Sequence, residues 1–229
     1  MIPWMQIETT RVPGADVELR LMRRGAEFSM MLGQNELMNS RLSGSEEALA
    51  TLACRRIDGV KRPHLLIGGL GMGFTLRAAL AVLDAQARIT VAELVPAVIV
   101  WARGPMADIF GDSLTDPRAD IREADVVDMI KASPSAFDAI LLDVDNGPEA
   151  LIRKANDALY DTGGLQAIRG ALRPGGVLAV WSSGPNVAFT KRLRAAEFEV
   201  SEVGVRATTK RSGAHHVIWF ATKPLPASR

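Results

Sequence analysis

From His64 onward, short apolar runs alternate with longer stretches of helical periodicity, a rhythm that predicts strand, helix, strand, helix. Leu65, Leu66 and Ile67 suit a strand buried on both faces. The helix after it can lay Phe74, Leu76, Ala78, Ala79, Leu80 and Leu83 on a sheet as one broad apolar face. A second strand reads from Arg88 to Glu93, and Pro96 suits the first turn of a helix carrying Val98, Ile99 and Trp101. Ala119 to Glu123 is a short third strand, Val126 to Ala132 a short helix, and Phe137 to Leu142 a buried strand. A helix over about 164–172 must stop at Arg173-Pro174-Gly175-Gly176. Val177 to Trp181 is again a strand, and a helix with Val187, Phe189 and Leu193 follows. Phe198 to Val205 and His215 to Thr222 have no helix between them, only a turn around Lys210-Arg211-Ser212-Gly213. They should form an antiparallel hairpin at the edge of an otherwise parallel sheet.

The first residues differ. Val17, Leu19 and Leu21 alternate with Glu18 and Arg20, a turn falls at Arg24-Gly25, and Phe28, Met30 and Leu32 alternate again before Gly33-Gln34-Asn35. This predicts a small antiparallel meander over residues 1–44, too small to be stable alone and therefore packed on the main domain or on a second subunit. Ser45-Glu46-Glu47 begins a helix, with Ser45 as N-cap and Ala48, Leu49, Leu52 and Ala53 on its apolar side. Residues 45–229 then make one α/β domain around a mostly parallel seven-stranded sheet.

Composition narrows the class. With 229 residues, 48% hydrophobic and 23% charged, the chain can bury one sizeable core. The net charge of +1 is spread over scattered basic residues, which builds no phosphate-tracking stripe and argues against a nucleic-acid partner. Cys54 is the single cysteine and reads as a small buried apolar residue. No cysteine and histidine cluster implies a metal. The N-terminal residues lack a basic region followed by an apolar core, and no apolar run is long enough to span a bilayer, so a reducing cytoplasm is expected.

The candidate chemistry lies where the predicted strands end, since open parallel sheets bind ligands beyond their carboxyl edges. Gly69, Gly71 and Gly73 sit between the first strand and its helix, where they permit a sharp turn and close approach of backbone to a ligand. The dinucleotide fingerprint would require glycine at 74, where Phe74 stands. The G-x-G-x-G spacing is the tighter form typical of adenosylmethionine-binding folds. Glu93 ends the second strand, where a carboxylate can accept both ribose hydroxyls of a nucleoside. Asp125, after the third strand, can accept from an adenine amino group or cap the next helix, two roles that are compatible. Asp143 to Pro148 follows the fourth strand. His215 and His216 read as a structural pair, and Trp101, Trp181 and Trp219 as core or pocket wall.

The order IGGLGMGFTLRAAL, VAELVPAVIVWAR, DPRADIREADVVDMI, FDAILLDVDNGP, ALY and LRPGGVLAVWSS resembles the spermidine synthase family of aminopropyltransferases over roughly Ser45 to Lys223. The resemblance implies a Rossmann-like class I methyltransferase fold preceded by a small β domain, a homodimer, and decarboxylated S-adenosylmethionine as co-substrate with a small-molecule amine as acceptor. It puts the sulfonium nucleoside on Gly69, Gly71, Met72 and Gly73, its ribose on Glu93 and its adenine on Asp125. Asp143 matches the first acid of the family's D-S-S-D motif and would accept the amine's proton. Glu47 matches the acid of its Y-H-E segment near the polyamine. The second motif acid is shifted to Asp145 or replaced by Asn146. Asp145 would hold a distal ammonium, while Glu149 reads as a helix N-terminal acid. Met72 stands where the family has an aspartate that favours the decarboxylated donor. Methyl transfer from intact S-adenosylmethionine to a small molecule therefore stays open, as does a nucleoside-binding protein without catalysis.

Overall fold

A computed structural model describes residues 2–143, 158–208 and 214–226. The chain opens with β1 (Met5–Arg11), β2 (Glu18–Arg24), β3 (Glu27–Leu32) and β4 (Asn35–Asn39), paired in that order as an antiparallel meander. Gly25 takes φ +61° in the short turn between β2 and β3, a backbone angle that hairpins of this length require and side chains disfavour. Leu19, Leu21, Phe28, Met30 and Leu32 turn inward and join one core with residues of the α/β domain. Of the two partners the sequence allows, the meander therefore packs on its own main domain.

The second sheet runs β10 (Glu199–Arg206), β11 (His215–Thr222), β9 (Leu172–Ser182), β8 (Phe137–Leu142), β5 (His64–Gly68), β6 (Arg88–Glu93), β7 (Ala119–Glu123). Strands β5 to β9 pair in parallel, and β11 is antiparallel to both its neighbours, as the absence of a crossover helix predicts. Strand alternation divides the central residues between two apolar layers. Leu65, Ile67, Leu141, Ala179 and Phe220 face one side, with α1 (Gly44–Arg56), α2 (Phe74–Val82), α3 (Pro96–Arg103) and the meander. Leu66, Ile140, Leu142, Val180 and Trp219 face the other, with α5 (Val126–Lys131), α6 (Thr162–Ala171) and α7 (Val187–Ala195). Between α3 and β7 lie a helical turn, α4 (Ala107–Phe110), and a 3₁₀ turn over Gly111–Leu114.

Several boundaries move from their predicted places, and the largest shift is at β9, which begins at Leu172 and not at Val177. Helix α6 starts at Thr162 because Asp161 accepts the Gly164 amide at 2.8 Å and caps it. Helix α1 starts at Gly44 with Ser43 at the cap, so Ser45 lies inside the helix and is not its N-cap. At the opposite edge of the sheet from the strand tips, buried Asp138 joins three elements: it accepts the His64 amide at 2.8 Å and the Arg173 guanidinium at 2.6 Å.

Candidate functional site

The strand order reverses beside β5, whose neighbours β6 and β8 lead to opposite edges of the sheet, and a cavity of about 430 Å³ opens at the carboxyl ends of these strands. Gly69, Gly71, Met72, Gly73, Glu93, Asp125 and Asp143 all line it, so residues spread over 75 positions of sequence meet in one place. The meander closes the other side with Glu36, Met38 and Asn39.

The loop's glycines are required by its geometry. Gly69, Gly71 and Gly73 have φ of +84°, +51° and +76°. A Cβ on Gly73 would lie 2.4 Å from the Phe110 ring, and one on Gly71 would lie 3.0 Å from the Met38 sulfur. The loop is thus pressed between α4 and the meander while its backbone borders the cavity. Met72 is fully buried, so the loop presents no acid at that position.

Glu93 organises this loop. Its Oε2 accepts the Leu70 amide and its Oε1 the Val95 amide, each at 2.8 Å, tying the tip of β6 to the glycine turn. Burial raises the carboxyl's pKa, while amides of Val95, Leu70, Gly71 and Leu94 work in the opposite direction. A carboxylate has about four lone-pair positions, so the two oxygens can hold these amides and still accept ribose hydroxyls. Asp125 caps α5 by accepting the Val127 amide at 2.9 Å and also borders the cavity.

Asp143 directly follows β8 and keeps some surface toward the cavity, but the protein around its carboxyl is dense. Burial pushes it up to about 8, and repulsion from Glu46 adds to the rise. Glu46 is itself raised by burial, against the hydrogen bond it accepts from Ser45 Oγ at 2.6 Å. Two buried carboxyls thus meet in one cavity, where ionised they can hold a cation and neutral they can donate a proton.

Glu46, not Glu47, is the α1 acid at this cavity. Glu47 lines a separate groove with Thr51, Arg77 and Phe110, because consecutive helical residues point about 100° apart. Asp145, Asn146 and Glu149 lie outside the described residues. Of three further cavity residues, Glu36 escapes the sequence reading, His216 reads there as structural, and Trp181 stands in the pocket wall, one of its two expected places. Glu36, held by Ser29 Oγ and Asn39 Nδ2 at 2.7 Å each, comes from a strand too short to show a pattern. His216 and Trp181 meet edge-on with ring centroids 4.7 Å apart. Each could have been found by alternation: Ile218 and Phe220 mark the face of His216, and Val177 and Ala179 that of Trp181. Among the described residues, no group of three or more His, Cys, Asp or Glu side chains is placed to hold a metal ion. No described helix is long and apolar enough to cross a membrane.

No protein-family profile matches the chain. In sequence it is similar to polyamine aminopropyltransferase 2 of Pseudomonas aeruginosa, with 29% identity over 61% of this chain and 40% of that protein. It is also similar to the polyamine aminopropyltransferase of Mycobacterium tuberculosis, with 30% identity over 66% of this chain and 29% of that protein. The matched stretches span less than half the length of either relative. In structure it is similar to a spermidine synthase in complex with the transition-state analogue AdoDATO (TM-score 0.74, 20% identity, 96% of this chain and 73% of that one). The spermidine synthase of Thermotoga maritima gives a TM-score of 0.72 at 19% identity, again over 96% and 73% of the two chains. The chain is therefore spermidine synthase-like, on a Rossmann-like fold.

Proposed function

We propose that the protein is a transferase that moves an aminopropyl group from decarboxylated S-adenosylmethionine to a small-molecule amine, with Asp143 as proton acceptor. The observation that carries this reading is the position of Asp143, a raised carboxyl at the tip of β8 in the same cavity as the glycine loop, Glu93 and Asp125. The nucleoside would lie with its ribose on Glu93 and its adenine beside Asp125. This directs the sulfonium carbon toward Asp143 and Glu46. As the amine's lone pair forms the new C–N bond, the C–S pair leaves with sulfur and methylthioadenosine is released. The nitrogen becomes positive in that step, and Asp143 takes its proton. Alignment of amine, carbon and sulfur supplies much of the acceleration, and a positioned base adds about 10²–10⁴-fold.

Met72 favours a second reading. An apolar buried residue there does not repel a carboxylate, so intact S-adenosylmethionine and methyl transfer to a small molecule fit the same loop. Calorimetry with the two donors and with methylthioadenosine, followed by turnover on an amine panel, separates the readings. Tighter binding of the decarboxylated donor with amine-dependent release of methylthioadenosine is expected. Tighter binding of the intact donor with methyl transfer would replace it with the methyltransferase, and binding without turnover would indicate a nucleoside-binding protein without catalysis.

The assembly proposed is a homodimer in the cytoplasm, a compartment where a lone thiol such as Cys54 stays reduced. Since the meander's inner face is already buried within one chain, a dimer would use its outer surface. Light scattering at micromolar concentration should give twice the 24.7 kDa chain mass, and a monomer would overturn the dimer.

A further inference from the structure

The acceptor end of the cavity holds a hydrogen-bonded chain that the transfer as described does not use. Ser45, 1% exposed, places its Oγ 2.6 Å from Glu46 Oε2 and 3.0 Å from His216 Nδ1. Two features of the fold keep these groups together. The Gly44 amide donates to the Ala207 carbonyl at 3.1 Å, and a Cβ at Gly44 would sit 3.0 Å from the Thr208 backbone, so the start of α1 lies directly on the end of β10. Trp181 meets the His216 ring edge-on and fixes its plane.

The direction of the chain follows from its inventory of donors. An ionised Glu46 can only accept, so the single Ser45 proton goes to it, and Ser45 Oγ must then receive its other bond from His216 Nδ1–H. The free lone pair of the ring is on Nε2, which makes no hydrogen bond among the described residues. His216 borders the cavity, as do Glu46 and Asp143. Burial and the neighbouring His215 lower its pKa, which keeps the ring neutral and able to accept. The charged and titratable groups around it are Glu46 on α1, Asp143 just after β8, His215 on its own strand and Arg206 across the hairpin on β10.

We propose that His216, Ser45 and Glu46 form a proton relay that converts the bound acceptor from ammonium to amine before transfer. This rests on the reading of the site as one for amine alkylation. The ammonium gives a proton to Nε2, the Nδ1 proton passes to Ser45 Oγ, and the Ser45 proton passes to Glu46. The imidazole ends neutral in its other tautomer and Glu46 ends protonated. The freed nitrogen lone pair then attacks carbon as the C–S bond breaks, and Asp143 receives the second proton. His216 is the catalytic member, touching the acceptor, while Ser45 is a positioning residue that acts through it.

Nitrogen-15 NMR of the imidazoles should find His216 as the Nδ1–H tautomer, and Ser45→Ala should release it toward the Nε2–H form that free imidazole side chains prefer. Ser45→Ala and His216→Asn should each lower kcat by about 10²-fold or more. The pH at which kcat levels off should move upward, with methylthioadenosine affinity unchanged. Ser45→Thr, which keeps the hydroxyl, should restore both kcat and the pH profile. Wild-type kcat and pH profile in Ser45→Ala and His216→Asn would overturn the relay and leave the transfer reading standing. Absence of transfer to any amine by the wild-type protein would overturn that reading and the relay with it.

Discussion

Glu93→Ala should weaken methylthioadenosine binding by about 10²–10⁴-fold, because two ribose hydrogen bonds to a charged acceptor, each worth roughly 1.5–3 kcal/mol, are lost. The same change removes the acceptor of the Leu70 and Val95 amides. Orphaned buried donors cost about 1–3 kcal/mol each, so the variant should also unfold at lower denaturant concentration. The fold should survive, since the core layers around β5 and β6 do not depend on this side chain. Comparison with Glu93→Gln separates the two effects: an amide oxygen can still accept one of the two loop amides, while the second acceptor and the charge are gone. Calorimetry on protein shown to be folded by circular dichroism is the measurement, and undiminished affinity in Glu93→Ala would remove Glu93 from the nucleoside site.

Glu93 also shows what a sequence can convey about such a site. An acid at the end of a strand, one strand away from a glycine turn, is legible because sheet topology brings both to one edge. That the acid holds the turn through two backbone amides depends on loop geometry that no residue pattern encodes. Strands β5 and β8 are equally legible, because burial on both faces demands unbroken apolar runs. The outer strands of the meander are not. Met5–Arg11 exposes most of its side chains, and its place is set by backbone pairing with β2. Helix α1 is the instructive error. Ser43 and Ser45 are both residues that cap helices, and acids follow both, so local chemistry leaves the first turn ambiguous. Neighbouring acids on a helix face different ways, and the tertiary contact between Gly44 and Ala207 decides that Glu46 meets the cavity while Glu47 lines the other groove. His216 follows the period of its strand into the cavity: within the histidine pair, alternation with Ile218 and Phe220 singles out its ring as the inner one, though not its chemistry.

Asp143→Asn should abolish transfer while leaving nucleoside affinity nearly intact. Asparagine keeps the shape of the side chain at the tip of β8 but cannot take a proton, so the loss belongs to the chemical step. It should equal the 10²–10⁴-fold that a positioned base contributes, roughly. The raised carboxyl adds two pH signatures. With its pKa moved from 3.8 to about 8, the folded protein binds this proton more tightly than the unfolded chain does. Its contribution to stability is therefore fully present below about pH 4 and is lost as pH rises through about 8. Denaturant titrations should show the wild type weakening over that window relative to the Asn variant. In the wild type, kcat at saturating amine should rise with pH as Asp143 ionises, and the bound sulfonium should move that rise below 8, because a nearby cation favours the carboxylate. Paired measurement of methylthioadenosine affinity and amine-dependent turnover decides the assignment. Normal turnover in Asp143→Asn would make Asp143 a structural strand-end carboxyl and pass the role of base to Asp145.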